Sequence, residues 1–392
     1  MQEALALVGR WLRISHISSG FIAVLVGYTS SVAIVFQAAS AAGADAAQLG
    51  SWMWALGIGM GVTCIGLSLA WRMPVLTAWS TPGAALLATS LGGIGMAQAI
   101  GVFLFASALI TLCGVTGWFQ RIMEHVPRNL ANAMLAGILL QFGLALFGAV
   151  GEQAALVLLM FATFIAARRL LPRYAVPLAF LAGILWAAAQ GMLDMSGLDW
   201  TPARPVWMAP EFSWPALLGV GIPLFIVTMT SQNVPGLAVL RANGYGAPAS
   251  PLIAWTGLTG IVLAPLGGFS FNLAAITAAI CMSPEADPDA AQRYKAAVWA
   301  GLFYLATGIF GATVVGLFAA FPRELVAAIA GLALLGTLGA ATSEALREPE
   351  GREAALVTFL ATASGMSLLG VGSAFWGLVL GGLCHALARR RR

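Results

Sequence analysis

Charge is what this chain has least of: Asp, Glu, Lys and Arg make up 9% of its 392 residues. A soluble domain of that length carries roughly 25% charged residues, so a water-exposed fold is excluded. Cysteine and histidine are also sparse. Cys64, Cys113, Cys281 and Cys384 show no CxxC or Cys/His spacing, which argues against both a disulfide framework and a metal site. No HExxH, no GxSxG and no pair of membrane-embedded aspartates occurs, so an intramembrane enzyme would have no residues with which to do chemistry.

What fills the chain is apolar: 60% of residues are hydrophobic and the mean hydropathy is +0.90. The solvent this composition suits is a bilayer. A spanning helix needs about 20 apolar residues. Runs of that kind give about fourteen candidate segments, centred near residues 27, 59, 82, 107, 139, 160, 182, 225, 258, 276, 307, 332, 361 and 379. Those at 82 and 276 are too short to cross as helix alone. Arg10 and Arg13 precede a first stretch far longer than a signal-peptide core, so the first span is expected to be retained. With the N-terminus cytoplasmic and fourteen alternating spans, all of the 19 basic residues except Arg204 and Arg323 fall on the cytoplasmic side. Both termini are then cytoplasmic. The net charge of +4 needs no nucleic-acid partner, because these residues set topology and meet anionic lipid headgroups.

Fourteen divides into two sevens, and seven is odd, so the halves would lie in opposite orientations as an inverted repeat. A shift of 191 residues lays Pro74 on Pro265, Ala84 on Ala275 and Ala88 on Ala279. Both windows begin as extended chain and turn helical in mid-membrane. In the first, residues 74–80 are β-branched and aromatic, and Thr81, Pro82 and Gly83 offer an N-cap hydroxyl with Pro at N1. In the second, residues 265–271 are too glycine-rich for helix and Asn272 is expected to cap the run 273–280. Non-helical backbone at that depth must be satisfied by protein or by a polar cavity. The two segments are therefore expected to meet, their helix N-termini aimed at one point that suits an anion such as a carboxylate.

A third polar cluster, Thr228, Thr230, Ser231, Gln232 and Asn233, precedes Pro235 and Gly236 in a strongly apolar span. Its counterpart in the first half is Tyr28, Thr29, Ser30 and Ser31. These groups serve either as interhelical glue or as a binding surface. Gly57, Gly59 and Gly61, and Gly377 with Gly381, fit close helix packing; with no strand before them a dinucleotide site is rejected. The hydrophilic loop 194–214, with Pro202, Pro205 and Pro210, is the natural boundary between the halves.

The windows MPVLTAWSTPGAALL, TMTSQNVPGLAVLRANGY and FSFNLAAITAAIC, in this order and spacing, resemble the benzoate:proton symporter (BenE) family over the whole chain. The resemblance implies an all-α inner-membrane protein of the UraA-like fold shared by uracil permeases and sulfate transporters, with short strands in spans 3 and 10. It further implies a core domain of residues 1–126 and 205–320 and a gate domain of 127–204 and 321–392. The site it implies comprises Ser80, Thr81, Gln232, Asn233, Ser270, Phe271 and Asn272; from the residues themselves, Trp79, Phe269, Phe271, Phe21 and Tyr28 are the aromatics expected either to pack or to wall a benzene ring. No cofactor and no metal are implied; the partners are a small aromatic carboxylate, protons and lipid, with a homodimer through the gate domain. Nucleobase permeases carry carboxylates in spans 8 and 10, whereas this chain has neutral amides there, which suits an anion better. The proton has no obvious carrier: His16 and Glu344 are candidates, and the substrate itself is another. A channel of the same fold, or a permease for another small carboxylate or nucleobase-like solute, is the alternative.

Overall fold

In the computed structural model the described residues are 13–118, 127–195, 201–369 and 371–390. Arg10, Arg121, His125, Arg391 and Arg392 lie outside them. The helices are α1 (Ile14–Ala41), α2 (Ala46–Trp71), α3 (Thr81–Ser90), α4 (Met96–Val115), α5 (Arg128–Gly148), α6 (Ala154–Leu170) and α7 (Ala175–Ala189). From Trp214 onward come α8 (Trp214–Ala242), α9 (Ala249–Leu263), α10 (Ile276–Met282), α11 (Tyr294–Ile309), α12 (Gly311–Ala319), α13 (Arg323–Ala345), α14 (Arg352–Ala363) and α15 (Ser373–Arg390). Two strands, β1 (Thr77–Trp79) and β2 (Phe271–Leu273), precede α3 and α10.

Each predicted segment is therefore present as an element. Length is a separate matter. Among the described residues seven helices, α1, α2, α4, α5, α8, α9 and α13, are long and apolar enough to cross a membrane, and α11 with α12 adds a pair bent by 67°. The remaining segments are shorter helices or the two strand–helix units.

Local chemistry sets several boundaries. Asp45 and Gln48 close a reciprocal capping box at the start of α2. Helix α8 is continuous but widened twice into π turns, at Leu217–Gly221 and Met229–Asn233. Elsewhere glycine decides which helices touch. A Cβ on Gly57 would collide with Gly308, and one on Gly61 would sit 2.8 Å from the Gly301 carbonyl, so α2 and α11 cross backbone to backbone. The same seam recurs between α9 and α4, where Gly257 abuts Thr111, Gly260 abuts Ser107 and Gly114 abuts Ala254. Spans 2 and 11 correspond to spans 9 and 4 under the inverted repeat, so the symmetry is visible in packing. The other helices pack among themselves: Gly331 of α13 on Phe142 of α5, Gly137 of α5 on Phe359 of α14, and Gly377 and Gly381 of α15 on Thr362 and Thr358 of α14.

Residues 201–213, which lead into the second half, are pinned rather than free. Ala203, Met208 and Glu211 donate backbone hydrogen bonds to Ile309, Pro265 and Ala97, and Ser51 Oγ accepts from Val206 N–H at 2.9 Å. Beneath it Trp52, Phe103 and Phe269 form a buried aromatic cluster with centroids 5.1 to 5.8 Å apart.

Candidate functional site

The strands pair antiparallel, with Thr77 opposite Leu273, Ala78 opposite Asn272 and Trp79 opposite Phe271. Two further bonds extend the ribbon, Ser80 N–H to Ser270 O at 3.1 Å and Ala274 N–H to Leu76 O at 2.9 Å. A two-stranded ribbon still has two open edges, and a low-dielectric interior makes each unpaired N–H costly. Here side chains meet each edge at one residue. On the β1 edge, Cys64 Sγ accepts from Thr77 N–H at 3.2 Å, and the Thr63 and Thr77 hydroxyls bond each other. On the β2 edge, Asn233 Oδ1 accepts from Leu273 N–H at 2.9 Å while its Nδ2 rests on Met229 Sδ. The π turn at Met229–Asn233 brings residues five apart into line, which sets Thr228 and Asn233 on the same side of α8.

Alternation gives the ribbon two faces. One is fully engaged: Thr77 meets α2, Trp79 donates its indole N–H to Ser31 Oγ of α1 at 2.9 Å, Phe271 lies against Gly59 of α2, and Leu273 lies against Gly236 of α8. The other carries Ala78 and Asn272, with Ser80 and Ser270 at its end. Asn272 is fully buried; its Nδ2 donates to Ser270 O at 2.9 Å and its Oδ1 accepts nothing among the described residues. Ser270, at φ +43° in the left-handed region, likewise has a buried hydroxyl without a partner, as does Thr228.

Three expectations change. The N-cap of α3 is Ser80, whose Oγ accepts from Gly83 N–H at 3.0 Å, and Thr81 is already helical. The ladder with Ser270 holds Ser80 extended, and that fixes where the helix can begin. Asn272 caps nothing: pairing with β1 claims it as strand, and α10 starts later, after Ala275, without a side-chain cap. The helix N-termini do not meet at one point, because antiparallel strands send them from opposite ends of the ribbon. Four residues of strand separate those ends, roughly 13 Å at 3.3 Å per residue.

Gln232 is half-buried on α8 and makes no side-chain hydrogen bond among the described residues. Tyr28 stacks edge-on against Trp79 with centroids 4.9 Å apart, and tilts over Tyr304 at 6.1 Å. Phe269 belongs to the core cluster. Phe21 is 50% exposed and leans on Phe303, so it forms no wall of the ribbon.

His16 is fully buried, with its Nε2 2.8 Å from Asp287 Oδ2, which also accepts from Arg13 at 2.8 Å. Burial pushes the Asp287 carboxyl up, but the Asp289 N–H, His16 and Arg13 outweigh it and hold the group below its ordinary range. Asp287 was not foreseen: it sits in the loop after α10, far in sequence from α1, with no local pattern to mark it. Glu344 is partly exposed beside Arg347 at 3.4 Å, a solvated pair at the end of α13.

A cavity of about 320 Å³ opens at the C-terminal end of α3, between Thr89 and Ser90 on one side and Gln141 of α5, Thr362 of α14 and Ser373 of α15 on the other.

The likenesses to known proteins agree with this architecture. Solved structures with the same fold include that of SLC26A9, with a TM-score of 0.64 at 13% identity over 95% of this chain and 65% of that one. The transmembrane domain of the cyanobacterial bicarbonate transporter BicA gives 0.52 at 12% identity over 96% of both. Among sequences, the inner membrane protein YdcO of Escherichia coli K12 is 52% identical over 369 residues, 94% of each chain. The benzoate membrane transport protein of Acinetobacter baylyi is 41% identical over 367 residues, 94% of this chain and 93% of that one. The profile of the benzoate membrane transport protein family, BenE, matches residues 11–387. With these apolar helices and this match over nearly its whole length, the chain belongs to the BenE family of membrane transporters.

Proposed function

We propose that this protein is a secondary carrier that imports benzoate, or a similar small aromatic carboxylate, across the bacterial cytoplasmic membrane together with protons. The observation that carries the reading is the second face of the ribbon. Asn272, Ser270 and Thr228 hold buried polar atoms that have no partner among the described residues, beside Ser80 and the first turn of α3. Unmade hydrogen bonds in a buried site are costly, and a carboxyl group would satisfy them. Neither β1, β2, α3, α10 nor α8 contains an acid to repel it. Thr81 follows Ser80 at the end of this face, Gln232 precedes Asn233 on α8, and Tyr28 with Trp79 supplies an aromatic surface on the ribbon's other side. Asn233 and Phe271 brace the ribbon from its edge and its far face.

The packing supports a reading in which two groups of helices move against each other. The ribbon, with spans 1–4 and 8–11, forms a core domain (1–126 and 205–320) that shifts against a gate domain (127–204 and 321–392). The cavity at the end of α3 lies between these two groups. With cytoplasmic termini, α3 runs from the ribbon toward the outside, so this cavity is the external vestibule, about 15 Å along α3 from Ser80. Labelled benzoate taken up by proteoliposomes under an inward proton gradient tests the function. Accumulation that collapses with the gradient is expected; uptake indifferent to the gradient would remove proton symport, and no uptake would remove the substrate.

A further inference from the structure

The ribbon's free atoms are not equivalent, and their chemistry selects one form of the guest. Asn272 Nδ2 donates to Ser270 O, which also accepts from Ser80 N–H. Exchanging the two ends of the amide would set Oδ1 against that carbonyl with no proton between them, so the amide has one orientation. The atom left over is therefore Oδ1, which can only accept. Ser270 Oγ beside it is a rotor that can donate.

A carboxylate is a pure acceptor and would face Oδ1 oxygen to oxygen. No positive charge stands there to compensate. No Arg, Lys or His occurs in β1, β2, α3 or α10, nor in α8 before Arg241. The first turn of α3 is largely spent, because Ser80 Oγ and O already accept from Gly83 and Ala84. A carboxylic acid fits instead: its O–H donates to Asn272 Oδ1 and its carbonyl accepts from Ser270 O–H.

Resting on the carboxylate-carrier reading above, we infer that the ribbon binds the substrate as the neutral acid, so that the proton carried in symport sits on the substrate. The balance is simple. The anion takes up one proton on binding from outside and releases it after leaving on the inside. No side chain has to titrate. The ionisable groups carried by the elements packed around the ribbon are His16 and Tyr28 of α1, Cys64 of α2, Arg241 near the end of α8, Cys281 of α10, and Tyr294, Lys295 and Tyr304 of α11; α3 and α9 carry none. Phenols and thiols are mostly uncharged at neutral pH. His16, in the first turn of α1, bonds Asp287 in the loop after α10, where Arg13 bonds it too.

The test is equilibrium competition on the purified full chain with labelled benzoate and unlabelled benzamide, at several pH values. Benzamide stays neutral throughout and offers an N–H where the acid has its O–H. Benzoate affinity is expected to weaken about tenfold per pH unit above the acid's own pKa, while benzamide competes with constant affinity. Benzoate affinity that ignores pH, or a pH-dependent benzoate affinity with benzamide failing to compete, overturns the inference; the second result places the proton on the protein. Folded Ser270→Ala and Asn272→Leu variants that bind benzoate unchanged would move the site off the ribbon. Absence of benzoate binding at every pH would instead remove the carrier reading beneath it.

Discussion

Asn233 and Asn272 bring the same side chain to the same ribbon and use it differently. Asn233 spends both ends inside the protein, on Leu273 N–H and on Met229 Sδ, whereas Asn272 spends one end and keeps Oδ1 free. Asn233→Leu strips the acceptor from a buried N–H and should cost about 1–3 kcal/mol, read as a lower melting temperature in detergent; unchanged melting would remove its bracing role. Asn272→Asp sets an oxygen against Ser270 O where the amide N–H donated, and Gln232→Glu adds charge beside the ribbon; both are expected to abolish uptake while the purified variants elute like wild type. Wild-type rates would take these residues out of the site. Asp287 gives a pH prediction. Its folded pKa is depressed, so its stabilisation is full above the ordinary carboxylate pKa and is lost as pH falls through the folded value. Asp287→Asn should therefore lower stability at neutral pH and flatten the acid limb of its pH profile. An unaltered limb would contradict that. In the sequence, Gln232 and Asn233 stood out as polar residues in an apolar span. Their division of labour did not, because nothing local says which edge of β2 will lie open.

At the scale of elements, glycine was legible and helix starts were not. The series through Gly57 and Gly61 read as close packing, and the α2–α11 seam is that packing. Gly57→Leu must push Gly308 away and should prevent accumulation of folded protein. Gly66→Ala, on the same helix with nothing within 4 Å of its added Cβ, should be tolerated or stabilise by about 0.5–1 kcal/mol. Equal expression of both would dismiss the seam. Thr81 and Asn272 both carry cap-forming side chains, yet neither caps a helix. Ser80 and Asn272 are held extended by partners about 190 residues away in sequence, and cross-strand pairing overrides local propensity. One apolar run centred near residue 307 became α11 and α12, bent by 67° at Phe310; a hydropathy run reports length in lipid and carries no direction.

For the whole molecule, the inverted repeat could be read from an odd number of segments per half and two matching broken windows. The structure repeats it in two glycine seams and one shared ribbon. The vestibule joins the two groups of helices across Thr89 and Ala363. Cysteines at these positions, cross-linked, should stop uptake reversibly by tying core to gate, whereas full transport by the cross-linked protein would rule out relative movement there. The account turns on a carboxyl group seated against Asn272 halfway along the ribbon. It is tested most directly by uptake of labelled benzoate into proteoliposomes under an inward proton gradient, comparing wild type with folded Asn272→Asp. Accumulation by wild type and none by the variant is the predicted result; equal accumulation by both would contradict it.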